Sequence, residues 1–146
     1  MGKGKKKRIK SPSIPKSRVK GRIGEPSPEK ILNYDDCHPV FCLRYLQDGF
    51  NLEACNQRQQ ADFAKALRKR SQMTWRQIWA ADRHGLGAEK IFRDSIKAPI
   101  PPHITEDVGF FIALRFSGKA PMVGYRIKDI FHIVWLDAKF TLYDHG

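Results

Sequence analysis

Apolar and polar residues alternate along the carboxy-terminal stretch from Phe110 to His145. Successive residues of a strand point to opposite faces of a sheet, so a period of two predicts half-buried strands. Turn residues interrupt the alternation at short intervals, which predicts an antiparallel meander. The predicted strands are Phe110–Ser117, Met122–Ile127, Ile130–Leu136 and Phe140–Asp144.

Two helices are predicted before this sheet, each from a cap and an apolar stripe. Asn56 can cap a helix over residues 57–70, and Thr74 begins a capping box for a second, shorter helix that Gly85 or Gly87 would end. The stripe of the first helix is predicted from Phe63, Ala64 and Leu67.

The other segments complete one α+β domain, which we place at residues 31–146. Residues 39–46 read as a first strand, 88–92 as a turn, and the proline-rich segment 97–103 as extended chain. This element order predicts a small antiparallel sheet with two helices packed on one face. The other face is expected to stay open.

Charge distinguishes the amino-terminal segment from this domain. The 146 residues carry a formal net charge of +12, and residues 1–30 hold 11 Lys or Arg against 2 Glu. Few apolar residues interrupt that segment, so we predict a disordered basic leader. Such a leader attracts polyanions, of which nucleic acid is the commonest in a cell.

Cysteine usage and hydropathy restrict the protein class. Cys37, Cys42 and Cys55 make an odd count, and no secretory signal precedes them, so we predict reduced thiols. They also lack the paired C-x2-C spacing of structural zinc sites, so we predict no metal, and we predict no other cofactor. No apolar run approaches the ~20 residues of a membrane span. We therefore expect a cytoplasmic protein without membrane partners.

Strand alternation also sorts the residues that carry reactive groups. Arg115 and Arg126 are assigned to the open face, and Tyr143 and His145 follow them there near the chain end. His132 is assigned to the same face, although both sides of its strand are apolar and either could be buried. These five residues are the predicted catalytic set.

Four short motifs resemble those of the RelE/ParE superfamily of toxins. The resemblance covers about residues 38–146 and implies a small sheet backed by two helices. It also implies an endoribonuclease that cleaves mRNA, on the ribosome in some members. A cognate antitoxin protein would inhibit this activity. The fold includes gyrase poisons, so it does not decide the activity. The motifs are Leu114-Arg115-Phe116, Gly124-Tyr125-Arg126-Ile127, Phe131-His132-Ile133-Val134-Trp135 and Leu142-Tyr143-Asp144-His145.

When the 2′-hydroxyl of an RNA strand attacks the adjacent phosphate, the reaction requires a base, an acid and cations around that phosphate. Arg115 and Arg126 could hold the phosphate, His145 could transfer a proton, and Tyr143 could stack on a base or join the proton transfer. No metal is needed for this mechanism.

The main alternative is a non-enzymatic RNA-binding or ribosome-binding protein that uses the leader and the helix at 57–70. A third hypothesis is a protein-directed poison whose interface includes Trp75 and Trp79. The residues predicted to bind RNA are Lys5, Lys6, Lys7, Arg8, Arg58, Arg68, Lys69, Arg70, Lys119 and Lys128.

Overall fold

A five-stranded sheet forms the centre of the computed structural model, which describes residues 32–146. The strands are β1 (Val40–Cys42), β2 (Ala88–Phe92), β3 (Phe110–Ser117), β4 (Ala120–Ile127) and β5 (Ile130–Leu136). The sheet order is β1-β5-β4-β3-β2, with β1 parallel to β5 and the other neighbours antiparallel. The α+β fold class is thus confirmed; the predicted leader at 1–30 lies outside the described residues.

Both predicted helices form, and both begin at the predicted caps. They are α1 (Gln57–Ser71) and α2 (Trp75–Ala80). A capping box stabilises the amino-terminal end of each, with Asn56 as the cap of α1 and Thr74 as the cap of α2. The second helix ends at Ala80, before the predicted glycines. The buried stripe of α1 is Phe63, Ala66 and Arg70, while Ala64 is exposed.

One core lies between the helices and the sheet face that we call the helix face. Phe63 of α1 meets Phe116 of β3 edge-on with ring centroids 5.9 Å apart, and Trp75 of α2 meets Phe131 of β5 in the same way. Trp75 is fully buried and its indole Nε1 donates a 3.0 Å hydrogen bond to the carbonyl of Asp129. This satisfies the polar atom of the side chain.

The opposite face of the sheet, the loop face, is covered, so the prediction of an open face is wrong. A second core packs on it, in which Ile104 and Leu142 from the flanking segments contact Phe111 and Trp135. Ile104 is 3% exposed and Leu142 is fully buried. Residues 96–108 and 140–145 therefore act as a third layer.

The predicted strand Phe140–Asp144 does not form. Phe140 has a φ of 58°, which interrupts extended backbone, and the carboxylate of Asp137 accepts hydrogen bonds from the backbone N–H groups of Thr141 and Leu142. A side chain thus takes the donors that a neighbouring strand would have used, and the chain folds back over the loop face.

Two other predicted elements differ from the structure. Residues 88–92 form β2 and not a turn, pairing with β3 from Ala88↔Leu114 to Phe92↔Phe110. The predicted strand at 39–46 shrinks to β1, because it pairs with β5 at only three positions. Residues 97–103 are not helical, as predicted, but the segment bends at Ala98 and turns at Pro102 and His103, so it is not extended throughout.

The pairing of β4 with β3 decides which face each residue of β4 occupies. Gly124 lies opposite Ile112 of the helix face, so Met122, Gly124 and Arg126 point towards the helices. Between β4 and β5 the register shifts at Val123 and Gly124. Arg126 therefore lies on the helix face, and its predicted place beside Arg115 is wrong.

Among residues 32–146, no helix combines the length and apolar character that crossing a bilayer requires.

Candidate functional site

Three of the five predicted catalytic residues line one cavity at the end of the chain. Arg115 of β3, Tyr143 and His145 share it with Glu89 of β2 and His84 of the preceding turn. We call it the carboxy-terminal cavity; its volume is about 800 Å³. The fold brings these residues together because the carboxy-terminal segment crosses the loop face beside β2 and β3.

His145 is held by a buried carboxylate. Its Nε2 lies 3.0 Å from Oδ2 of Asp137, which is fully buried. The same carboxylate accepts the backbone N–H groups of Thr141 at 2.8 Å and Leu142 at 3.1 Å. A carboxylate can only accept, so Nε2 of His145 donates, and Nδ1 is left as the ring nitrogen that can accept a proton.

Tyr143 lies against His145 with ring centroids 4.0 Å apart. Burial raises the pKa of Tyr143 to about 12; the carboxylates of Glu89 and Asp137 add to the rise, and Arg115 opposes it. The phenol is therefore protonated at neutral pH. It can donate a hydrogen bond or a proton, and it cannot serve as a base there.

Arg115 is oriented by His84. Its Nη2 lies 2.9 Å from Nδ1 of His84, and its Nη1 donates to the His84 carbonyl at 3.3 Å. A guanidinium can only donate, so His84 Nδ1 accepts. The turn that carries His84 is anchored in turn by Arg70 of α1, which donates to the carbonyls of Gly85 and Leu86.

Cationic side chains outnumber carboxylates around this cavity. Glu89 pairs with Arg83 at 3.1 Å, and Asp144 pairs with Lys97. Both carboxylates are thus already matched, which leaves the cavity suited to an anion. Its lining includes the cations Arg83, Lys90, Arg115 and Lys119 and the carboxylates Glu89 and Asp144.

Arg126 lies elsewhere and has structural partners. Its Nη1 is 2.7 Å from Oδ1 of Asp35, its Nε donates to the Lys128 carbonyl at 2.6 Å, and its guanidinium lies 4.6 Å from the Trp75 ring centroid. Arg115 pairs with Pro121, five residues before Arg126 on β4. Strand geometry puts them about 17 Å apart, on opposite faces.

His132 does lie on the loop face, but it belongs to an aromatic cluster outside the carboxy-terminal cavity. Its ring stacks on Tyr125 at 4.8 Å, and His103 donates to or accepts from the Tyr125 hydroxyl at 3.0 Å. Tyr45 packs against both imidazoles. Burial lowers the pKa of His132, and His103 lowers it further.

This cluster lines a second cavity of about 1050 Å³, together with Arg126. Within the described residues, the buried Nδ1 of His132 has no hydrogen-bond partner. The predicted catalytic set is therefore divided between two cavities, three residues in one and two in the other.

No protein-family model matches this chain, and no match is found among curated proteins or among solved structures. The resemblance to the RelE/ParE superfamily therefore stays a prediction from the sequence motifs.

The residues predicted to bind RNA also separate in the structure. On α1, Arg58, Arg68 and Lys69 are exposed, but Arg70 is 1% exposed, so the prediction that it contacts RNA directly is wrong. Arg70 belongs to the buried stripe of α1 because its polar atoms reach backbone carbonyls. Lys119 lines the carboxy-terminal cavity and Lys128 is exposed at the β4–β5 turn; Lys5, Lys6, Lys7 and Arg8 lie outside the described residues.

Two residues of the site were not predicted. Asp137 reads in the sequence as a turn residue, and His84 as a residue at a helix end. The spacing of Asp137 and Thr141 could have indicated a carboxylate that binds the following backbone, because Asp commonly accepts such local hydrogen bonds. No local signal links His84 to Arg115, which is 31 residues away.

Within residues 32–146, no group of three or more His, Cys, Asp or Glu side chains is placed to hold a metal ion.

Proposed function

We propose that the protein is an endoribonuclease that cleaves RNA by attack of the 2′-hydroxyl on the adjacent phosphate. The observation that carries the proposal is the pairing of His145 with the buried carboxylate of Asp137, in the cavity that also holds Arg115 and Tyr143. An imidazole with one nitrogen fixed by a carboxylate is a common arrangement for a general base.

His145 supplies the base. Because Nε2 donates to Asp137, Nδ1 takes the proton of the 2′-hydroxyl as the bond from the 2′-oxygen to phosphorus forms. Asp137 acts through His145: it fixes the tautomer and stabilises the imidazolium that results. A buried carboxylate that also accepts two backbone N–H groups cannot rotate away, so the imidazole is held in one orientation.

Tyr143 supplies the acid. Its phenol, with a pKa raised to about 12 by burial, is protonated at neutral pH and is still a stronger acid than the departing alcohol. It protonates the 5′-oxygen as the bond from phosphorus to that oxygen breaks. The products are a 2′,3′-cyclic phosphate and a free 5′-hydroxyl, and exchange with solvent returns both residues to their starting protonation.

Arg115 and Lys119 stabilise the charge that builds up on the phosphate oxygens. Two guanidinium nitrogens of Arg115 donate hydrogen bonds to His84, so the guanidinium is oriented before substrate binds. Donors that are oriented in advance stabilise a transition state without a cost of reorganisation at that moment. The roles that RNA cleavage requires are therefore filled by side chains, without a metal.

The RelE/ParE resemblance extends the proposal. It supports mRNA as the substrate, the ribosome as the place of cleavage, the cytoplasm as the compartment and a cognate antitoxin as the inhibitor. The support for these four points is the sequence motifs alone.

Incubation of the purified protein with an RNA oligonucleotide, with and without ribosomes, tests the activity. We expect fragments that end in a 2′,3′-cyclic phosphate, and no cleavage of the same sequence carrying 2′-O-methyl groups. His145→Ala should slow cleavage about 10²- to 10⁴-fold, the usual contribution of a general base. A matched control is Lys139→Gln, a charge change at an exposed residue outside the described cavities.

Folded protein that leaves RNA intact under both conditions, or a His145→Ala variant as fast as the wild type, would contradict the proposal.

A non-enzymatic RNA-binding function is the second candidate, and the exposed basic residues of α1 favour it. Arg68 and Lys69 are exposed in its last turn, where cations are also favoured by the helix dipole. If this function is correct, RNA binding is strongly salt-dependent and is unchanged in His145→Ala. The wild type then binds RNA but does not cleave it.

A further inference from the structure

A third, smaller cavity lies between α1 and the turn that carries His84. Its volume is about 400 Å³. Basic side chains dominate its lining, and one carboxylate, that of Asp62, faces them. The ionisable residues of the lining are Asp62, Lys65, Lys69, Arg70, His84 and Arg115.

Arg70 places a positive charge under this cavity. Within the described residues, no carboxylate forms an ion pair with that charge. It is 1% exposed, and its hydrogen bonds go to the carbonyls of Leu86 at 3.2 Å and Gly85 at 3.4 Å. Its Nη1 has no hydrogen-bond partner in the described part of the chain. Burial lowers the pKa of Arg70 to about 10, so the group is still charged at neutral pH.

The single carboxylate of the lining is engaged by other groups. Oδ2 of Asp62 accepts a hydrogen bond from the Ser117 hydroxyl at 2.8 Å, and Nε of Arg58 lies 3.9 Å from the same oxygen. Lys65 and Lys69, one turn apart on α1, are both exposed. Neither takes part in any of the ion pairs found among residues 32–146. The field of the cavity is therefore positive, and it is available to an anion from solvent.

The cavity adjoins the carboxy-terminal cavity. Arg115 and His84 line both of them, so one guanidinium and its imidazole partner form the boundary. An anion bound on one side of this boundary thus has a second basic cavity directly across it. A polynucleotide, which carries a phosphate at every step of its backbone, is the ligand whose charges repeat in this way.

We infer that the cavity lined by Lys65, Lys69 and Arg70 is a second phosphate subsite, which binds the phosphodiester next to the one held in the carboxy-terminal cavity. Lys65 and Lys69 contact the phosphate, and Arg70 contributes its charge from below and fixes the His84 turn. This inference rests on the proposed function, which identifies the ligand as an RNA strand. It implies that the RNA strand leaves the carboxy-terminal cavity along α1.

The test compares oligonucleotides that cannot be cleaved. Binding of a 2′-O-methyl dinucleotide with one phosphate and a 2′-O-methyl trinucleotide with two is measured by calorimetry or by the displacement of a fluorescent analogue. The wild type, Lys65→Gln/Lys69→Gln and Lys139→Gln are compared over a range of salt concentrations. Both lysines are exposed, so their replacement by Gln leaves the core of α1 intact.

We expect the double variant to bind the two-phosphate ligand about tenfold more weakly than the wild type, because charged hydrogen bonds are lost. Its slope of log affinity against log salt should decrease by about 0.7, the value for one phosphate of a single strand. The one-phosphate ligand should bind the double variant and the wild type alike, and Lys139→Gln should bind both ligands as the wild type does.

An equal loss for both ligands, or no loss for either, overturns the inference. Tight binding of inorganic pyrophosphate with no preference for the two-phosphate ligand also overturns it, since that result indicates a small-anion site. Failure of the proposed function gives a different result: the length-dependent binding persists while unmodified RNA stays intact. If RNA is cleaved and the double variant binds like the wild type, the subsite alone fails.

Discussion

The imidazole of His145 donates to the carboxylate of Asp137 across 3.0 Å, and that carboxylate is the acceptor that also turns the backbone at Thr141 and Leu142. One buried carboxylate thus holds the backbone of the carboxy-terminal segment in its turn and orients the proposed base. We therefore expect substitutions at Asp137 to affect both stability and the proposed cleavage, and substitutions at His145 to affect mainly the proposed cleavage.

Asp137→Asn should impair both properties. The Asn amide nitrogen cannot accept, so a backbone N–H or the imidazole loses its partner inside the protein. We expect a loss of about 1–3 kcal/mol in the free energy of unfolding, measured by urea denaturation, together with a marked fall in the cleavage rate. His145→Ala should lose cleavage and keep most of the stability. Equal destabilisation by both variants would contradict this division.

Tyr143→Phe tests the proposed acid. The variant should cleave ordinary RNA about 10²-fold more slowly, because the 5′-oxygen leaves without a proton. With a nitrophenyl leaving group, which needs no protonation, the variant and the wild type should have similar rates. A loss of the same size for both substrates would instead indicate that Tyr143 only packs or stacks.

Arg126→Gln is expected to affect folding and not the chemistry. The variant loses the ion pair with Asp35, the hydrogen bond to the Lys128 carbonyl and the contact with Trp75. The guanidinium is largely buried, so a loss of about 1–2 kcal/mol is expected. The cleavage rate per folded molecule should not change. A catalytically dead variant of full stability would return Arg126 to the catalytic set.

The predictions from sequence succeeded where local chemistry determines structure. The caps at Asn56 and Thr74 and the alternation in β3 act within a few residues, and their elements begin where predicted. They failed where strand pairing or an unrecognised hydrogen bond from a side chain to the backbone decides. The face of Arg126 depends on which residue of β3 lies opposite Gly124, and Asp137 captures backbone donors that alternation assigned to a strand. Of the site, alternation placed Arg115 correctly, but it could not reveal Asp137 or His84.

Gly124→Ala should destabilise the protein strongly. A Cβ at this position would lie 1.9 Å from the carbonyl oxygen of His132, a backbone atom that cannot move away without breaking the pairing of β4 with β5. Forced overpacking costs about 1–3 kcal/mol and occasionally more. Gly109→Ala is the matched control, because nothing lies within 4 Å of its Cβ position. Similar melting temperatures for the two variants would show that the sheet relaxes freely.

The aromatic cluster should make stability depend on pH below neutrality. Burial, with His103 nearby, lowers the pKa of His132 below its ordinary value of 6.5. The unfolded chain therefore binds a proton at a higher pH than the folded protein does, and stability must fall as pH drops from 7 through 6.5 towards the folded pKa. Tyr45 and Tyr125 pack against the His132 ring. Burial raises the pKa of Tyr125, so this phenol is neutral throughout the range.

Urea denaturation of the wild type and of His132→Phe at a series of pH values between 7 and 5 measures this effect. Phe keeps a ring that can stack on Tyr125 and has no proton to bind, so the variant should lose less stability on acidification than the wild type does. Parallel stability curves for the two proteins would show that other groups, the carboxylates above all, cause the decline, and that His132 is not responsible for it.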